Sequence, residues 1–80
     1  MTAREIASTL AERPFVPFRI VMADGRSYEV THPELLLVGM TATHLGVPSI
    51  VDEFVVADRI VRLSNDQITS IVPLAIPDRA

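Results

Sequence analysis

The chain has no cysteine, no tryptophan and no lysine, only three glycines, and a single tyrosine. Without cysteine it has no disulfide, no thiolate ligand and no thiol chemistry, a usage that suits the cytoplasm. Three scattered glycines do not make a loop that cradles phosphate. All seven side-chain cations are arginines, and ten acidic residues outnumber them to give a formal charge of −3. That balance supplies no general attraction to a polyanion. No apolar run approaches the ~18 residues of a membrane-spanning helix, and the N-terminal stretch reads as a polar helix rather than a signal peptide, so no membrane partner is expected.

What is present fits one folded domain over residues 1–80, with 49% hydrophobic and 21% charged residues. A domain this small buries only ~60% of its unfolded surface and is marginal unless it associates.

The segment Phe18–Val30, FRIVMADGRSYEV, organises the reading. Asp24-Gly25 marks a turn. A two-residue loop would set Ile20 against Glu29 and mix polar with apolar on both faces. A three-residue loop, Ala23-Asp24-Gly25, pairs Phe18 with Val30, Ile20 with Tyr28 and Arg19 with Glu29. Only this register leaves one clean apolar face.

Before the hairpin, Thr2 and Glu5 have capping-box spacing, predicting a helix over residues 2–12 with Ala3, Ile6, Ala7 and Leu10 on one stripe. Pro14 stops it, and Phe15 and Phe18 pin the proline-bearing linker to the core; the alternative of a PxxP recognition site at Pro14–Pro17 has less support. After the hairpin, one long strand from Arg26 to Gly39 is expected, bent at His32-Pro33, with Leu35–Val38 buried on both faces. A third strand covers Thr43–Val47. Residues 48–57 read as a strand extension with Asp52-Glu53 at its tip. Asp58–Ser64 forms the next strand, residues 64–67 a 3₁₀ turn, and Ile68–Val72 the last strand, closed by Pro73. Residues 74–80 are an expected loose tail. The expected core is Phe18, Ile20, Met22, Tyr28, Val30, Leu36, Val38, Leu45, Ile60, Leu63, Ile68 and Ile71.

The element order resembles the small SH3/Sm-like barrel. The stretch Ile20–Val30, with its Asp24-Gly25-Arg26 turn, is similar to the first Sm motif, and Ile60–Ile71 is similar to the closing strand–turn–strand of such barrels. The resemblance implies a mainly β fold with an N-terminal α-helix and a small, bent, five-stranded antiparallel sheet or barrel over residues 18–72. Sm proteins that bind RNA bring an Asp and an Asn to the loop after their second strand; here that loop, Gly39–Ala42, carries neither. Pro14-Phe15-Val16-Pro17-Phe18-Arg19, then Asp24-Gly25-Arg26, then His32-Pro33-Glu34, also resembles a set of short uncharacterised bacterial proteins that share a PFxPFR, DGR and HPE pattern. That likeness implies a common fold and no particular activity.

Chemistry-bearing patterns are sparse. His32, His44 and Glu34 lack a metal-ligand spacing, and there is no nucleophile–base motif or paired-acid motif. No enzyme activity, cofactor or metal is expected. Arg19, Arg26, Arg59 and Arg62 form a basic patch only if their acidic neighbours leave them free. The surplus apolar residues Ile50, Val51, Phe54 and Val56 are the candidate contact surface. The expectation is a non-catalytic interaction or self-assembly module, a homo-oligomer or a partner of another protein. The alternative is an Sm-like RNA-binding protein that uses those four arginines.

Overall fold

Helix α1 spans Ala3–Leu10, and the computed structural model that shows it describes residues 1–74. Its start follows the capping box: the Glu5 N–H donates to Thr2 Oγ1 at 3.2 Å, and the Thr2 N–H donates to Glu5 Oε1 at 2.8 Å. The helix stops two residues short of the expected end at Glu12. A proline ring collides with the carbonyl four residues before it, and Leu10 holds that place relative to Pro14. Arg13 closes the end by donating from its guanidinium to the Ala11 and Glu12 carbonyls. Ile6 is completely buried and Ala3 and Leu10 partly so, whereas Ala7 is exposed, so the apolar stripe docks chiefly through Ile6.

Strands β1 (Phe18–Met22) and β2 (Ser27–Val30) form the hairpin in the register Phe18↔Val30, Arg19↔Glu29, Ile20↔Tyr28. Gly25 takes φ +93°, a conformation in which glycine meets no Cβ penalty, and its N–H donates to Met22 O at 2.9 Å.

The chain then departs from expectation. In place of one long bent strand, β2 ends at Val30 and Pro33–Leu35 turns as a 3₁₀ helix. Strand β3 (Leu36–Val38) joins a different sheet. Pro33 cannot donate to a ladder, but it fits the first position of a helical turn, so the bend becomes a crossover. Nor is Leu35–Val38 buried on both faces, since Leu36 lies in the core and Leu37 is 70% exposed.

Strands β4 (Ala42–Val51), β5 (Phe54–Ser64) and β6 (Ile68–Pro73) complete the fold, with a 3₁₀ turn at Asn65–Gln67 before β6. The two antiparallel sheets run β2-β1-β6 and β3-β4-β5. Six strands in two three-stranded sheets therefore replace the expected five-stranded bent sheet or barrel; the mainly β class with one N-terminal helix stands. Residues 75–80, most of the expected tail, lie outside the described residues.

The core joins Phe18, Ile20, Val30, Leu36, Leu45, Leu63 and Ile68 to Ile6 from the helix. Phe15 packs edge-to-face on Phe18 with ring centroids 5.9 Å apart. Ile60 was expected inside and is 68% exposed. Ile60 and Leu63 are three residues apart, so on a strand they point to opposite faces, and only Leu63 can be inside. One buried polar pair crosses the β4–β5 corner. Asn65 Oδ1 accepts from Thr43 Oγ1 at 2.8 Å while Asn65 Nδ2 donates to Gly39 O at 2.8 Å. Gly39 is required in that corner, because a Cβ there would run into the Ala42 carbonyl.

Candidate functional site

The four candidate contact residues all fall on the tip of the β4–β5 hairpin. Strand β3 pairs with β4 only from Thr43 to Leu45, so from Gly46 outward β4 and β5 stand as a two-stranded arm. Its turn has two residues, Asp52 (φ 48°) and Glu53 (φ 74°), both left-handed. That is the type I′ pattern whose twist matches the flanking strands. Val47 pairs with Arg59 but Pro48 with Ala57, so Asp58 is an extra residue in β5, a β-bulge at the root of the arm.

Cross-strand register sorts the arm's side chains. Val51 pairs with Phe54 and Ser49 with Val56 on one face, whereas Ile50 pairs with Val55 and Pro48 with Ala57 on the other. The structure thus brings Val51, Phe54 and Val56 together and places Ile50 behind them, so that both faces are apolar. The first face continues the inward side of Thr43, Leu45, Val61 and Leu63 beyond the reach of the core. Phe54 is 71% exposed, Ile50 66%, Val51 51% and Val56 37%. Val55, which shares Ile50's face, was not singled out from the sequence. The signal was there, since apolar pairs on both sides of a two-residue turn must populate both faces.

The four arginines do not converge. Arg19 makes an ion pair with Glu29 at 2.9 Å across the β1–β2 ladder. Arg26 pairs with Asp24 at 2.8 Å, and its backbone N–H donates to Asp24 Oδ1. The Arg26 side chain and N–H hold the Asp24 carboxyl below the usual carboxylate range. Arg59 and Arg62 belong to the other sheet and, three apart on β5, point to opposite faces. In the helix cap, bonding to the Thr2 backbone and hydroxyl likewise lowers the Glu5 carboxyl.

His32 Nδ1 lies 3.8 Å from Glu34 Oε2, and His44 sits on β4 opposite Leu37 and Arg62. Among the described residues no three His, Asp or Glu side chains are grouped to hold a metal ion. An open groove beside α1 is lined mainly by Ala7, Leu10, Phe15, Leu36 and Val38, with Arg13 and Glu34 its ionisable members. Pro14 is exposed and Pro17 half-buried, their segment leading into β1. No helix among the described residues is long and apolar enough to cross a membrane. Comparison with protein-family models, with curated proteins and with solved structures found no match to this chain.

Proposed function

We propose that this chain is a non-catalytic interaction module that self-associates or docks on a protein partner through the β4–β5 arm. The observation that carries the reading is a two-stranded ribbon with apolar residues exposed on both faces, led by Phe54 and Ile50. A lone hairpin is marginal in water, and exposed apolar clusters on small proteins mark contact surfaces. The module works in the cytoplasm, a compartment its cysteine-free sequence suits. The order β5, 3₁₀ turn, β6 supports a kinship of architecture with SH3/Sm-like domains. Fold kinship alone carries no activity.

Sedimentation of the native chain and Phe54→Asp up to about 1 mM, where association of about −4 kcal/mol becomes visible, is the test. The native chain gains mass with concentration or with a captured protein, and Phe54→Asp does neither while keeping its folded spectrum. A native chain that stays monomeric and captures nothing overturns the reading. The Sm-like alternative relies on Arg59 and Arg62, because Arg19 and Arg26 are engaged with carboxylates. Single-stranded RNA binding that weakens steeply with salt would favour it instead.

A further inference from the structure

The arm's two outer edges differ, and the difference selects an occupant. In a two-residue hairpin the residues flanking the turn, here Val51 and Phe54, form a hydrogen-bonded pair. The next pair, Ile50 and Val55, therefore directs its backbone N–H and C=O groups outward, and so does the pair Pro48 and Ala57. On the β4 side one of those positions is a proline, which has no N–H, so that edge is blunted. On the β5 side Val55 and Ala57 both present complete N–H and C=O groups. Strand β5 is the last strand of its sheet, so nothing in the sheet order covers that edge.

We infer that the occupant is a second copy of this chain, joined by antiparallel pairing of β5 with β5 across a two-fold axis at Val55. The inference rests on the reading of the arm as a contact surface, and deepens it. A two-fold contact must be self-complementary. Val55 opposite Val55 of the second copy satisfies this with two reciprocal N–H···O=C bonds. The same register sets Phe54 opposite Val56 of the second copy at a non-hydrogen-bonded position, where Cβ atoms approach to about 4.5–5.5 Å. Val51, Phe54 and Val56 of both copies then form one apolar strip.

Charge of both signs meets that register. Pairing in this sense carries the acidic turn Asp52-Glu53 of one copy past Ala57 to Asp58 and Arg59 of the other, where Arg59 supplies the attractive member. Arg59 is exposed and takes part in no ion pair among the described residues. The ladder stops there, at the Asp58 bulge. The exposed parts of Val51, Phe54, Val56 and the edge backbone come to roughly 400 Å² per copy, half the ~800 Å² per partner of a standard interface. An interface of that size belongs to the weak, reversible class, so a concentration-dependent dimer is expected rather than an obligate one.

Proline scanning of the two edges tests the geometry on the full chain by sedimentation equilibrium. Val55→Pro removes the N–H at the two-fold and weakens the dimer at least about tenfold, whereas Ile50→Pro, on the far edge, leaves it within about twofold. An Hα–Hα contact between Pro48 and Ala57 by NMR reports that the arm is intact in both. Arg59→Glu, which spares the arm backbone, also weakens the dimer, and Arg59→Glu with Glu53→Arg restores it. Loss of association in Phe54→Asp but not in Val55→Pro overturns edge pairing while leaving the arm as a contact surface. Failure of the charge swap to restore the dimer overturns the register. Open-ended assemblies would overturn the two-fold, and a native chain that binds only a different protein would overturn the second copy as occupant.

Discussion

Replacing Asn65 by alanine gives the sharpest test of how the two sheets are joined. Asn65 starts the 3₁₀ turn that carries the chain from β5 into β6, and so from one sheet to the other. Its side chain makes two buried hydrogen bonds, to Thr43 Oγ1 and to Gly39 O, each 2.8 Å long. Two neutral bonds contribute about 2 kcal/mol together, and a hydroxyl left without a partner in a dry site costs about 1 kcal/mol more. Thr43 is fully buried, so water cannot reach its hydroxyl to replace the lost carbonyl. Asn65→Ala should therefore destabilise by about 3 kcal/mol, lowering Tm by on the order of 12–24 °C in a domain of this size. Urea unfolding, read as a fall in midpoint at constant slope, measures it. The concentration must lie below the onset of self-association, which would otherwise add to apparent stability.

Thr43→Val completes the cycle. Alone it strands Asn65 Oδ1 and costs about 1–2 kcal/mol; combined with Asn65→Ala it removes both partners and leaves no orphan hydroxyl. The double variant should fall short of additivity by about 2–3 kcal/mol, because the shared bond is counted in both single variants and the orphan penalties vanish when both partners are gone. A loss below about 1 kcal/mol for Asn65→Ala, or costs that add within about 0.5 kcal/mol, would refute the reasoning.

Two further outcomes follow from the register and the helix cap. Ile60→Thr should change stability by less than about 0.5 kcal/mol, because Ile60 is exposed, whereas Leu63→Ala, three residues on and in the core, should cost about 2–4 kcal/mol by thermal melting. The Glu5 carboxyl is lowered in the folded state, so its contribution is present above its unfolded value and is lost as pH falls through the lowered one. Helix α1 should therefore fray below the usual carboxylate range; Glu5→Gln should flatten that acid limb of the helical circular dichroism, and an unchanged limb would refute the assignment.

Local chemistry was legible in the sequence; the partition between sheets was not. The β1–β2 register could be derived because Asp24-Gly25 and the Arg19–Glu29 pair left one arrangement with a consistent face. The capping box and the Asp52-Glu53 turn were equally readable, since each depends on neighbours in the chain. His32-Pro33 was not, because a proline that breaks a ladder fits a bend within one sheet as well as a 3₁₀ crossover into another. That choice depends on where Leu36 finds its contacts. The spacing of Ile60 and Leu63 shows that only one of them can be inside, but which one depends on pairings with Gly46 and Thr43 that no local pattern reveals. At the arm, composition singled out apolar residues that prove exposed and missed their division between two faces. The bond between Thr43 and Asn65 spans 22 positions of sequence and left no local trace.

Pro48 has a consequence that reaches past a single molecule. A ribbon with two competent edges is a difunctional monomer: each addition exposes another edge, and growth continues into filaments. With a proline outward on β4, the arm is monofunctional. On the β5–β5 pairing proposed above, the first pairing consumes the one complete edge, and assembly terminates at that step. On that proposal, a single imino acid lets the chain carry an apolar ribbon without seeding a fibre.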